Sequence, residues 1–132
     1  MRSVLGLTTA LLLAACATTP PNVGGGEWRA ADVNGLPVTG ARALTLTLGP
    51  DGRASGNAGC NSFSGTYAFR SRDRIDLGPL AVTRMACEPP VMEQEARYLS
   101  ILEAAETYSR YGDGSLSIIA PDGRAIRFRR GG

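Results

Sequence analysis

Three thiols and twelve carboxylates are the groups in this 132-residue chain best equipped for chemistry, because it contains no histidine. Without an imidazole to take a proton from the nucleophile, the Ser-His-Asp and Cys-His arrangements are excluded. Lysine is absent as well, so all 14 basic residues are arginine. Arginine suits bidentate recognition of phosphate and carboxylate, and GC-rich codons produce the same bias. Among the carboxylates, Asp32, Asp76, Glu88 and Glu95 are scattered over turns and positions expected to be exposed. They show no paired spacing of the kind that general acid and base roles require, and each reads as a solvated group. Gly24-Gly25-Gly26 does not lie between a strand and a helix, so it is no phosphate loop. No catalytic residue, metal ligand set or cofactor is expected, and the chain does not read as an enzyme.

The thiols separate by position. Met1-Arg2-Ser3 supplies one positive charge, Val4 to Ala15 is apolar, and no acidic residue occurs before Glu27. This is the pattern of a secretory signal. An apolar run of about a dozen residues falls short of the roughly 20 that a membrane-crossing helix needs. Leu13-Ala14-Ala15-Cys16 matches the lipobox of bacterial lipoproteins at all four positions. Residues 1–15 are therefore expected to be removed and Cys16 to become the acylated first residue of the mature chain. Two or three acyl chains make such an anchor effectively stable, at roughly 0.8 kcal/mol per buried CH2. Ala17 rather than Asp follows, which resembles outer-membrane sorting, with the protein facing the periplasm. From Ala17 to Gly26 the chain is Thr, Pro and Gly rich and reads as a flexible tether completing segment 16–26. A single domain is expected over 27–132.

Assigning Cys16 to lipid chemistry leaves Cys60 and Cys87 as an even pair in an oxidising compartment, where a structural disulfide is the natural reading. A redox dithiol ordinarily has Cys-x-x-Cys spacing. A metal site needs more ligands than two distant cysteines without histidine. Losing Arg2 with the signal leaves 13 arginines against 12 acidic residues. That near-neutral balance gives no reason to expect a nucleic-acid partner. Arg124, Arg127, Arg129 and Arg130 crowd the last strand, with Arg127 and Arg129 opposite Ile126 and Phe128. They suit either anionic lipid headgroups beneath the tether or a solvated face protecting a sheet edge.

The elements that must position these groups are mostly short strands. Ala43-Leu44-Thr45-Leu46-Thr47-Leu48 alternates with period two, which sends the leucines to a core and the threonines outward. Gly49-Pro50-Asp51-Gly52 supplies a turn and Arg53 to Gly56 the returning strand. Pro121-Asp122-Gly123 repeats the device between Leu116–Ala120 and Arg124–Arg129. Further strands are expected at Trp28–Val33, Gly65–Arg70, Arg74–Leu77, Leu80–Thr83 and Thr107–Tyr111. After Pro89-Pro90, Val91 to Glu106 places Val91, Glu95, Tyr98, Leu99, Leu102 and Ala105 at helical intervals. The fold class is α+β: a small antiparallel, barrel-like β-sheet with one helix packed against it or plugging one end.

Gly56-Asn57-Ala58-Gly59-Cys60-Asn61-Ser62-Phe63-Ser64-Gly65-Thr66-Tyr67 resembles the signature of the META, or HslJ-like, domain family. Thr83-Arg84-Met85-Ala86-Cys87 resembles its second block, and Glu95, Tyr98, Leu99 and Leu102 resemble the acidic and apolar positions of its helix. The resemblance covers Glu27 to Arg129. Arg29-Ala30 after Trp28 departs from it, since a leucine two places after the tryptophan is common, and this bears on packing alone. The resemblance implies a mostly antiparallel β fold with one helix and no established enzymatic activity. It also implies a link with envelope stress and novobiocin tolerance.

Two readings of the Gly59-Cys60-Asn61-Ser62-Phe63 stretch stand beside each other. In one, Asn61 and Ser62 hydrogen-bond nearby backbone, Gly59 permits a close approach or positive φ, and the result is a stapled corner. In the other, Asn61, Ser62 and Arg84 form a binding surface for an envelope protein or a small ligand. A periplasmic inhibitor or pilot-like binding module is the alternative function.

Overall fold

The computed structural model describes residues 23–131, together with Gly6. The expected signal, its cleavage site and Cys16 lie outside the described residues. Among the described residues, ten strands and one helix follow in the order β1 (Glu27–Val33), β2 (Leu36–Pro37), β3 (Thr45–Leu48), β4 (Arg53–Asn57), β5 (Ser62–Ser71), β6 (Arg74–Leu77), β7 (Ala81–Val82), α1 (Pro89–Glu103), β8 (Thr107–Arg110), β9 (Leu116–Ile119) and β10 (Ala125–Arg130).

Alternation along each strand turns one side chain in two toward a common interior. Leu44, Leu46 and Leu48 are fully buried, as are Trp28, Leu116, Ile118, Ile126 and Phe128. A sheet that is apolar on one face must cover it, and here the sheet covers itself. Neighbouring strands run β1-β3-β4-β5-β6-β8-β9-β10, and β10 pairs antiparallel with β1, from Trp28 opposite Arg130 to Val33 opposite Ile126. Eight strands thus close an antiparallel barrel, while β2 and β7 hang on β1 and β5. The fold is the small α+β barrel expected. Closure also removes one of the two roles open to the arginines of the last strand: β10 is bonded on both sides, so Arg127 and Arg129 guard no edge.

The helix enters at Pro89 and Pro90, first-turn positions where a missing N–H costs nothing. It buries Tyr98, Ile101 and Leu102 against the barrel. The Tyr98 hydroxyl donates to the Thr45 carbonyl at 2.7 Å, and burial pushes its pKa well above the usual phenol range. The helix stops at Glu103 rather than running to Glu106. The sheet captures the next backbone groups, with Glu106 N–H donating to Ile119 and its carbonyl accepting from Ile75.

Two further differences from the sequence expectation have physical causes. Val23, inside the segment expected to be a tether, is buried in the core. The buried Trp28 indole needs an acceptor, and its Nε1 donates to the Val23 carbonyl at 2.8 Å. Arg130 lies 4.0 Å over the same indole and donates to the Gly25 carbonyl at 2.7 Å. The second difference is β2, whose hairpin with β1 turns on Asn34 and Gly35, both at positive φ. An Asn-Gly pair suits a two-residue hairpin turn because both central positions need φ > 0.

Candidate functional site

The corner between β4 and β5 is built by local side-chain chemistry. Asn57 Oδ1 accepts from Gly59 N–H at 2.8 Å, and Ala58 N–H donates to the Asn61 carbonyl at 2.7 Å. Gly59 takes φ 112°, a conformation that a side chain resists. This tight path aims the backbone N–H groups of Cys60 and Asn61 inward, where they need acceptors. Both donate to Glu95 Oε1 on α1, at 3.2 and 2.6 Å.

Asn61 completes the arrangement. Its Nδ2 donates to Glu95 Oε2 at 2.8 Å and to the Met85 carbonyl at 3.1 Å. Its Oδ1 accepts from Thr83 Oγ1 at 2.9 Å and from Met85 N–H at 2.6 Å. Two donors and two acceptors are all that an amide offers, so the side chain is saturated. Ser62 N–H donates to Thr83 Oγ1 and Thr83 N–H to the Ser62 carbonyl, which fixes the Thr83–Met85 loop beside β5. The Cys60–Cys87 disulfide ties the corner to the residues just before α1.

Asn61 is 2% and Glu95 4% exposed, which corrects one expectation. Asn61 is a junction of β5, the Thr83–Met85 loop and α1, and it lines the floor of the depression beside Met85. Glu95 is not solvated, because the barrel mouth needs an acceptor for Cys60 and Asn61 and the helix brings this one. The other carboxylates singled out by sequence do ordinary structural work. Asp32 Oδ1 accepts from Gly35 N–H in the β1–β2 turn, Asp76 pairs with Arg70 at 2.7 Å on the surface, and Glu88 is exposed at the helix start. Ser62 and Arg84 are exposed, as expected for a surface.

Sequence reasoning overlooked Thr83 and Met85 as partners of Asn61. The clue was an asparagine beside the first cysteine of a pair whose second cysteine follows Thr-Arg-Met. Over the network lies a shallow depression of about 560 Å³, floored by Asn61, Thr83 and Glu95 and walled by Leu80, Val82, Arg84, Met85 and Met92 among others. Met85 is 53% exposed. Among the described residues no buried side-chain nitrogen or oxygen lacks a partner, and no group of His, Cys, Asp and Glu is arranged to hold a metal ion. No helix among them is long and apolar enough to cross a membrane.

The disulfide spans 27 residues, which in the chain-entropy estimate stabilises by roughly 3 to 4 kcal/mol. Reduction, or the Cys60→Ser/Cys87→Ser double substitution, is expected to lower the unfolding free energy by that amount, and with it the urea midpoint, while the m-value rises because the uncross-linked denatured chain exposes more surface. An unchanged midpoint in reductant would show that the Asn61–Glu95 junction holds the corner unaided.

A family model described as META domain matches residues 21–131. No curated protein matches the chain. Among solved structures, the chain is similar to a Burkholderia xenovorans protein determined by NMR, with 26% identity and a TM-score of 0.63 over 82% of this chain and 83% of that one. A second NMR structure shares 23% identity at a TM-score of 0.65, over 80% and 88% of the two chains. A DUF4847 family protein from Bacteroides vulgatus shares 15% identity at a TM-score of 0.58, over 80% and 92%. The last two likenesses speak to fold alone.

Proposed function

Given that the chain belongs to the META domain family, we propose that it serves as a non-enzymatic, lipid-anchored module of the bacterial cell envelope, contributing to stress or novobiocin-like tolerance. It does so through binding or structural support rather than turnover. The observation that carries this reading is that Asn61 and Glu95, the most enclosed polar groups of the corner, commit their hydrogen bonds to holding the fold together: all four positions of the Asn61 amide and both oxygens of the Glu95 carboxylate are engaged.

The Leu13-Ala14-Ala15-Cys16 motif supports the anchor. Ala17 after the cysteine supports placement at the outer membrane facing the periplasm. An inhibitor or pilot-like role for the same module draws on the depression beside Met85, where apolar side chains and Arg84 are open to a protein partner or small ligand. Turnover of an envelope substrate that vanished with one polar substitution would overturn the non-enzymatic reading.

Intact mass of the mature protein, with and without reductant, tests the anchor and the disulfide together. A chain starting at residue 16 without added lipid sinks the anchor. A deletion strain is expected to lose novobiocin tolerance and regain it with the wild-type gene. Complementation by Arg84→Ala/Met85→Ala separates the modes: lost rescue supports binding at the depression, and full rescue supports structural support. A deletion with unchanged tolerance overturns the stress role. One stoichiometric partner in a pulldown from detergent-solubilised envelope would favour the inhibitor or pilot-like reading.

A further inference from the structure

The arginines gather on one side of the barrel. Arg29 on β1 stands directly opposite Arg129 on β10, and Arg127 lies two residues along the same outward face. All three are exposed. Arg110 and Arg130 lie over the buried Trp28 ring at 5.0 and 4.0 Å, on the inward side of the sheet. The acidic residues at this face are Glu27, which pairs with Arg29 at 3.0 Å, Asp32 on β1, directly opposite Arg127, and Asp113 near Arg127 and Arg129. Elsewhere the balance reverses: residues 88–106 carry Glu88, Glu93, Glu95, Glu103 and Glu106 against Arg97 alone.

Like charges directly opposite each other across two strands destabilise a sheet, so an isolated barrel gains nothing from Arg29 facing Arg129. Protection of a sheet edge does not account for them either, since β10 is paired on both sides. An external anion would offset the repulsion, and guanidinium forks match phosphate oxygens bidentately.

The place where the chain joins the barrel is adjacent. Val23 to Gly26 runs beside Arg130, which donates to the Gly25 carbonyl at 2.7 Å. From Cys16 to Val23 is seven peptide steps, a reach of at most about 25 Å. A domain tethered so closely is held with this end toward the anchor.

We propose that the β1–β10 face bearing Arg29, Arg127 and Arg129 docks on the phosphate headgroups of an anionic bilayer, orienting the barrel so that the Cys60–Cys87 corner points away from the membrane. The inference rests on the lipid-anchor reading above. Vesicle binding by a chain that cannot be acylated reads the face alone, whereas the mass of the mature protein reads the anchor alone. Because residues 23–131 form a closed barrel with its own core, the mature segment 16–132 carrying Cys16→Ser folds without lipid and is the protein to use.

Co-sedimentation with phosphatidylglycerol-rich vesicles is expected at low salt, with little binding to phosphatidylcholine vesicles and loss as ionic strength rises. Arg29→Gln/Arg127→Gln/Arg129→Gln should weaken the binding on the order of a hundredfold, about fivefold for each arginine. The corresponding triple change to lysine should keep most of it, which covers the case of a glutamine variant that fails to fold. Arg42→Gln/Arg72→Gln/Arg97→Gln removes the same charge from elsewhere and should cost no more than a fewfold. Equal losses from both glutamine triples would reduce the effect to net charge and overturn the proposal. Equal binding to both kinds of vesicle would overturn it too. Full competition by millimolar inorganic phosphate would make the face a site for the free anion instead.

Discussion

Glu95→Ala is expected to remove roughly 3 to 6 kcal/mol of folding stability, enough to unfold much of the population of a domain this small. The carboxylate accepts from Cys60 N–H, Asn61 N–H and Asn61 Nδ2. Each buried donor left without a partner costs about 1 to 3 kcal/mol, and the truncated side chain leaves three. Glu95→Gln separates hydrogen bonding from volume. It keeps an oxygen for the two backbone donors but sets an amide NH2 against Asn61 Nδ2, so a smaller loss of about 1 to 3 kcal/mol follows.

A double-mutant cycle with Asn61→Ala should show coupling of at least about 1 kcal/mol, because the two side chains share one network. Urea unfolding of the four proteins measures it. A Glu95→Ala loss below about 1 kcal/mol would mean that water reaches the Cys60 and Asn61 amides, and the junction would then be far less important than its geometry indicates.

The second large effect is expected at Gly56. A Cβ there would stand 2.1 Å from the Thr45 carbonyl oxygen and 2.8 Å from Phe63 Cζ. That carbonyl cannot withdraw cheaply, since it accepts from the Tyr98 hydroxyl at 2.7 Å while Thr45 Oγ1 accepts from Asn57 N–H at 2.9 Å. Gly56→Ala must therefore part β3 from β4 or break the bond that seats α1 in the barrel. Overpacking of about 1 to 3 kcal/mol adds to a lost buried hydrogen bond of similar size. A loss of about 3 to 5 kcal/mol is expected, lowering the melting temperature by roughly 15 °C or more. Gly112→Ala is the control, with nothing within 4 Å of its Cβ, and should stay within about 0.5 kcal/mol of wild type. Equal melting temperatures for the two variants would show that the barrel flexes at Gly56 at little cost.

Both predictions concern residues whose importance is invisible to spacing rules. Gly56 stands in a strand whose sequence, Arg-Ala-Ser-Gly-Asn, alternates weakly, and the atom it would strike belongs to a strand eleven residues away. Glu95 falls at the same helical interval as Tyr98 and Leu102 and at the acidic position of the family's helix, yet it read as solvated, because the interval does not say where the buried face ends. Val23 reads as part of a polar, glycine-rich tether until the Trp28 indole is known to point back at its carbonyl. The Asn34-Gly35 pair, by contrast, carries a recognisable hairpin signal, although neither its turn nor β2 was among the expected elements. The corner motif was legible as a stapled turn, although the burial of Asn61 among four hydrogen-bond partners was not.

By itself the sequence determined the strands, the principal turns, the helix and the pairing of Cys60 with Cys87. Period two, proline, glycine and an even cysteine count act over a few residues or through simple arithmetic. The tertiary structure decided which end of the sheet met which, that β10 closes on β1, and that Asn61 and Glu95 meet in the interior. Those outcomes depend on where the helix lands on the closed barrel. Burial and hydrogen-bond partnership arise between segments far apart in the chain, and no local pattern in either segment specifies the other.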